Sequence, residues 1–182
     1  MKAAIFDAPQ KMHVGEWDSP SAGADEAVVR VKATGICAGD MYIYQGRNPY
    51  AHYPVIGGHE IAGYVHSIGE GVTGIQVGEL VVVEPFIGCG KCYACRVGKP
   101  NCCINLEIIG IHRPGGFAEY VAAPARNIHK VPPGLSPAWA SFAEPIAIAV
   151  QATRRGEVHA GDTVLILGAG PIGLALIEVA RA

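Results

Sequence analysis

The stretch Gly57-Gly58-His59-Glu60-Ile61-Ala62-Gly63-Tyr64-Val65-His66-Ser67-Ile68-Gly69 sets an imidazole and a carboxylate side by side at the head of an apolar run. Ile61 to Ile68 reads as a strand, and Gly57 and Gly58 give the backbone before it room to present both side chains. Upstream, Cys37 lies just past another strand. Far downstream, Glu144 sits among apolar residues and before Pro145. A carboxylate there must be paired, metal-bound or at a helix end. One thiol, one imidazole and two carboxylates make a chemically sufficient ligand set for a catalytic zinc, which keeps one position open for water or substrate. Cys37, His59, Glu60 and Glu144 are far apart in the chain, so they meet only through folding. The plain alternatives are a structural histidine and a helix-capping acid.

A chain of 182 residues suffices for one good core, or for one domain plus part of another. Half of its residues are apolar and 16% are charged, which excludes disorder. With 24 glycines and 13 prolines, turns are frequent and long helices few. The net charge is −2 with acids and bases mixed, so there is no basic stripe for nucleic acid or an anionic membrane. The N-terminal run Met1 to Asp7 meets an acid too early to make a signal sequence. The most apolar stretch, Val164 to Ile177, is short and broken by Gly168, Gly170, Pro171 and Gly173, so it does not span a bilayer. A cytoplasmic location is the expectation. Six cysteines make up to three disulfides in a secreted chain, whereas in a cytosolic one their spacing points to metal.

The first part of the chain reads as strands. Lys2 to Phe6 and Lys11 to Trp17 flank a turn at Ala8-Pro9-Gln10. Ala27 to Ala33 sets Val29 and Val31 opposite Arg30 and Lys32 and leads through Thr34-Gly35-Ile36 to Cys37. Gly39 to Gln45 reads as a short helix with Asp40 in its first turn. Further strands are expected at Glu79 to Pro85, at Phe117 to Ala123 after Gly115-Gly116, and at Ile128 to Val131 before Pro132-Pro133-Gly134. Many short strands at close spacing indicate a barrel or sandwich. The pattern changes at Ser136-Pro137, an N-cap followed by proline at the first helical position. A second helix starts at Glu144-Pro145 and stops at Gly156. Asp162 to Leu167 reads as a buried parallel strand, and Leu174 to Ala182 as a helix. The domain boundary is expected near Gly156.

Two further motifs carry chemistry. Cys89-x2-Cys92-x2-Cys95-x7-Cys103 lies in a loop rich in glycine and lysine. Four thiolates around a tetrahedral ion make a closed, structural zinc site; disulfides or an Fe–S cluster are the alternatives. Cys102 is the odd cysteine. Gly168-x-Gly170-Pro171-Ile172-Gly173 falls between the expected strand and helix. Such glycines permit a tight turn and the approach of a pyrophosphate to a helix N-terminus. A glycine-rich turn without a ligand is the alternative.

Together these residues resemble the zinc-dependent medium-chain dehydrogenase/reductase family, to which the alcohol dehydrogenases belong. Gly58-His59-Glu60-x2-Gly63-x5-Gly69-x2-Val72 matches its zinc signature, Cys37 stands at its first ligand position, and the four-cysteine loop matches its structural lobe. Glu144-Pro145 is similar to the sorbitol, galactitol-phosphate and sugar-acid dehydrogenase branch, and Asn101 to Tyr120 to its bacterial galactonate-type members. The resemblance implies a mainly β fold: a GroES-like barrel catalytic domain at 1–156, with a zinc lobe at about 86–110, followed at 157–182 by the first β-α unit of an incomplete Rossmann domain. It implies two zinc ions per chain. One is held by Cys37, His59, Glu144 and, directly or in exchange with water, Glu60; the other is held by Cys89, Cys92, Cys95 and Cys103. It also implies NAD or NADP at Gly168, Gly170, Pro171, Ile172 and Gly173. The expected reaction is oxidation of a secondary alcohol of a polyol, sugar alcohol or sugar acid to a ketone, with zinc as Lewis acid and, when full length, a homo-oligomer.

Two departures qualify this. Where the family carries a serine or threonine two residues after its first ligand, this chain has Gly39, and Tyr42 replaces a frequent histidine. Tyr42, Tyr44 or a water is then left to relay the proton. Second, a dinucleotide domain needs two βαβαβ halves, so the sequence is expected to be an N-terminal fragment, inactive alone. The competing readings are a non-enzymatic zinc-binding GroES-like domain and a zinc-free quinone-reductase-like relative.

Overall fold

Burial alternates along Val29-Arg30-Val31-Lys32 as the sequence pattern requires: Val29 is fully buried, while Arg30 and Lys32 are exposed. The computed structural model describes residues 1–182 and falls into two units, Met1–Ser141 and Phe142–Ala182. In the first unit the strands are β1 (Lys2–Ala8), β2 (Lys11–Glu16), β3 (Glu26–Gly35), β4 (Val55–Ile56), β5 (Glu60–Ile68), β6 (Leu80–Val83), β7 (Phe86–Ile87), β8 (Glu107–Ile108), β9 (Tyr120–Pro124) and β10 (Ile128–Lys130). Its helices are α1 (Ala38–Tyr44), α2 (Tyr93–Arg96) and α3 (Pro137–Ala140); the second unit holds α4 (Ala143–Arg155) and α5 (Pro171–Arg181).

The strands form an antiparallel five-stranded sheet, β10-β6-β5-β3-β9, a three-stranded sheet, β2-β1-β4, and a β7-β8 pair. The inward face of the large sheet carries Val29, Ile61, Val65, Val81, Val121 and Ile128, the centre of the main apolar core. A smaller core of Phe6, Ile43 and Val55 packs α1 onto β1 and β4. The register of β3 shifts against β5 between Val28 and Val29 and between Val31 and Ala33, and such bulges bend a strand. At Gly63 a side chain would overlap the Arg30 carbonyl, so this glycine permits the close backbone approach. The long bent β3 delivers its C-terminal end, Gly35, opposite Glu60 at the start of β5.

The expected elements are present with three differences. The short strands β4, β7 and β8 escaped a reading by periodicity, since two residues carry no period. Asp162 to Leu167 is not a strand: Val164, Leu165 and Leu167 are 42%, 82% and 88% exposed. The apolar run meets no partner, for the second unit contains no other strand to complete a ladder. Finally, the units part between Ser141 and Phe142, ahead of Gly156, because α4 packs on α5. The Ser136 cap is formed, its hydroxyl accepting from Trp139 N at 3.4 Å, and α4 ends at Gly156.

Between β6 and β10, Lys130 Nζ donates to Glu79 Oε1 at 2.7 Å and Gln76 N donates to Glu79 Oε2 at 2.8 Å. The Lys130 hydrogen bond, followed by that from Gln76, holds the Glu79 carboxyl below its ordinary value. A depressed carboxyl contributes stability that is present above its unfolded pKa and lost as pH falls through its folded pKa. Glu79→Gln is therefore expected to lower stability at neutral pH, with the difference from wild type vanishing in acid and shrinking in high salt. Urea titrations of both proteins across that range measure it.

Candidate metal centre

The register of β3 and β5 brings together three groups that are far apart in the chain. Cys37 caps α1 with extended backbone, φ −85° and ψ 156°. His59 and Glu60 enter β5 from the Gly57-Gly58 turn. Ligand atoms of Cys37, His59 and Glu60 lie within 4.8 Å of one another. The glycines before His59 are sterically required. A Cβ at Gly57 would lie 2.7 Å from the Phe6 ring, and Gly58 has a φ of +87° and no room beside Phe117 N. Gly115, Gly116 and Phe117 clamp this turn by donating from their N–H groups to the carbonyls of Ile56, Gly58 and Gly57 at 2.8, 2.8 and 3.0 Å.

Asp40 organises the cluster from beneath. It is 2% exposed. Its Oδ2 accepts from Cys37 N at 2.8 Å and its Oδ1 from Gly58 N at 2.9 Å. One carboxylate thus ties together the two loops that carry the thiol and the imidazole, with charge-assisted hydrogen bonds and the helix N-terminus offsetting its burial. Read from sequence alone, Asp40 is a first-turn acid. Its spacing from Cys37, an N-cap with an acid three residues on, is the signal that marks the bridging role.

His59 Nδ1 is buried and has no hydrogen-bond partner; Asp40 Oδ1 lies 3.8 Å away. An unsatisfied buried polar atom costs about 1–3 kcal/mol. Ligation of the ring, backed by a carboxylate, is the arrangement in which such an imidazole is used. Burial pushes the Glu60 carboxyl above the ordinary carboxylate range, His59 opposes the rise and Asp40 adds to it. A nearby cation reverses that penalty. The donor set of sulfur, nitrogen and oxygen fits zinc. Gly39 faces the cluster: a Cβ there would stand 3.6 Å from His59 Cε1 and 3.8 Å from Cys37 Sγ, so no hydroxyl adjoins the site from that position. Tyr42 lies under the Arg47 guanidinium, 5.1 Å from ring centre to Cζ, and Tyr44 packs against Phe6.

Glu144 belongs to the second unit, half-buried in the first turn of α4. In that unit Gly168 has a φ of +111°, Gly170 caps α5, Pro171 opens it, and a Cβ at Gly173 would overlap the Gly168 carbonyl. Gly173 is thus glycine for close packing of turn on helix. Ile172 follows Pro171 in the first turn of α5 and is 42% exposed.

A second cluster gathers Cys89, Cys92, Cys95 and Cys103 between β7 and β8. Cys92 Sγ is 3.5 Å from Cys95 Sγ and 3.8 Å from Cys103 Sγ. Disulfide sulfurs would stand ~2.05 Å apart, and all six cysteines are free. Sulfurs around a tetrahedral zinc, each ~2.3 Å from it, stand ~3.8 Å apart. Cys103 Sγ accepts from Cys89 N and Asn105 N at 3.2 and 3.3 Å. The backbone amides of Cys95 and Ile104 bring the Cys92 thiol down to about 6, while burial and the Cys92 thiol bring Cys95 up to about 11. Cys102 is exposed and outside the cluster.

Residues 23–133 match the alcohol dehydrogenase GroES-like domain family. Over 181 residues the chain is 43% identical to the starvation-sensing protein RspB of Escherichia coli (strain K12), covering 100% of this chain and 53% of that protein. It is 37% identical to the L-galactonate-5-dehydrogenase of the same strain, again covering 100% and 53%. The crystal structure of an rspB alcohol dehydrogenase from E. coli CFT073 complexed with cofactor NADH superposes with a TM-score of 0.93 at 42% identity, covering 100% of this chain and 53% of that one. The chain spans about half the length of the curated relatives it matches.

Proposed function

We infer, from the premise that this chain belongs to the alcohol dehydrogenase GroES-like domain family, that it is the metal-binding part of a zinc-dependent, NAD(P)-linked dehydrogenase. Its reaction is the oxidation of a secondary alcohol of a polyol, sugar alcohol or sugar acid to a ketone. The observation that carries this reading is the meeting of a thiol, a carboxylate and an imidazole, whose ligand atoms lie within 4.8 Å of one another. Bound zinc supplies Lewis acidity toward an alcohol oxygen. Cys37, His59 and Glu60 hold the ion. Asp40 fixes the first two of these by accepting from Cys37 N and Gly58 N. Glu144 enters as a further donor on sequence resemblance alone. Cys89, Cys92, Cys95 and Cys103 hold a second, structural ion that closes the lobe.

The glycine-rich turn before α5 offers free amides for a dinucleotide pyrophosphate. Similar chains have been crystallised with NADH and with NADP, which supports a nicotinamide dinucleotide of either form. A sugar acid is supported by the likeness to an L-galactonate-5-dehydrogenase, and L-threonine, likewise a secondary alcohol, by the 47% identity to an L-threonine 3-dehydrogenase. The complete polypeptide is proposed to act in the cytoplasm as a homo-oligomer on this small-molecule alcohol.

Metal analysis and turnover test the reading together. Two zinc ions per chain are expected, one of them lost in His59→Ala or Cys37→Ser. In the complete polypeptide, NAD(P)⁺ reduction by sugar acids or polyols should fall roughly 10²–10³-fold in His59→Ala. Glu144→Gln should also weaken metal retention. A protein without metal at Cys37, or unchanged turnover in His59→Ala, overturns the reading.

A further inference from the structure

Gly35 has no backbone reason to be glycine. Its φ lies outside the left-handed region, and it ends a strand, where glycine is a poor choice. What it lacks room for is a side chain. A Cβ there would collide with Glu60 Oε2 and lie 2.8 Å from Glu60 Cδ and 3.1 Å from Glu60 Cβ. All three nearest atoms belong to one side chain, that of the residue paired with Gly35 across β3 and β5. The Glu60 carboxylate therefore lies folded over the bare backbone of its cross-strand partner. From there it shares a site with Cys37, two residues beyond Gly35, and with His59.

We propose that Gly35 is a positioning residue for the metal centre: its missing side chain is the seat of the Glu60 carboxylate, and so directs that acid toward Cys37 and His59 instead of solvent. This rests on the reading that the cluster binds a metal ion. The obstruction is the far end of a flexible side chain, so a methyl group at position 35 need not break the sheet. It displaces the Glu60 carboxylate from this seat.

The test compares wild type, Gly35→Ala, Glu60→Ala and the double variant, with Zn²⁺ alone as ligand in a chelator competition. Co²⁺ absorption reads the coordination, and the ion in the four-cysteine lobe is the internal control. Gly35→Ala should bind the ion at Cys37 about 10–100-fold more weakly, the range seen when a supporting residue is lost. Its Co²⁺ spectrum should move toward that of Glu60→Ala, with the lobe ion retained. On the Glu60→Ala background the same change should have almost no further effect. Wild-type affinity and spectrum in Gly35→Ala overturn the proposal, as does an equal loss with Glu60 already removed. If Gly35→Ala fails to fold, a folded double variant supports the proposal and an unfolded one overturns it. A wild-type chain that binds no ion at Cys37 overturns the metal reading itself, a result separate from equal binding by wild type and Gly35→Ala.

Discussion

Asp40→Ala is expected to destabilise the first unit by about 3–5 kcal/mol and to weaken metal binding at Cys37 and His59 by roughly 10–100-fold. The stability loss follows from two hydrogen bonds. Cys37 N and Gly58 N each donate to one oxygen of a carboxylate that is 2% exposed. Hydrogen bonds to a charged group are worth about 1.5–3 kcal/mol each, and the buried Gly58 N–H is left without its acceptor. Part of the loss is offset, because the variant no longer buries a charge. The affinity loss follows from geometry: the same two bonds fix the loops that carry the thiol and the imidazole, 22 positions apart in the numbering. Asp40→Asn keeps the shape but turns an NH₂ toward one of the two N–H donors, so it should show roughly half the destabilisation. Both tryptophans, Trp17 and Trp139, lie in the first unit, so urea unfolding followed by their fluorescence reads this unit directly. Equal midpoints for wild type and Asp40→Ala would show that the carboxylate bridges nothing of consequence.

Cys103→Ser should remove one metal ion per chain and open the lobe, while Cys102→Ser leaves both untouched. Cys103 is 8% exposed, its sulfur accepts from two backbone amides, and it lies 3.8 Å from Cys92 Sγ. Its neighbour in sequence is exposed and outside the cluster. The lobe has little else to hold it. Its regular structure is the two-residue strands β7 and β8, one turn of helix and a 3₁₀ turn at Pro100–Cys102, and few of its side chains besides Ile87, Cys103 and Ile109 are buried. A structural zinc contributes of order 10 kcal/mol to such a fold, far beyond what those apolar groups supply. Trypsin should then cut rapidly after Lys91 or Arg96 in Cys103→Ser, with tryptophan fluorescence showing the barrel still folded. Two retained ions and unchanged protease resistance in that variant would refute the structural-metal assignment.

Local patterns were legible in the chain itself. Alternation at Val29-Arg30-Val31-Lys32, the Ser136-Pro137 cap and the stop at Gly156 each depend on residues within a few positions of one another, so their physics is written in short spacing. The residue types of the candidate metal donors were legible for a related reason: thiol, imidazole and carboxylate keep their ligand character in any fold. Which cysteine of the adjacent pair, Cys102 or Cys103, joins the lobe depends on burial and was settled by packing. So was the fate of Val164 to Leu167, whose apolar run describes a strand only where another strand lies beside it.

The amino-acid order alone determined the β-rich class, the four-sulfur loop and the types of group available for chemistry. Only the tertiary structure decided that Gly35 faces Glu60, that Asp40 joins two distant loops, and that His59 keeps a nitrogen without a protein partner. The reason is that register, steric exclusion and hydrogen-bond satisfaction are relations between remote residues. No window along the chain contains both members of such a pair.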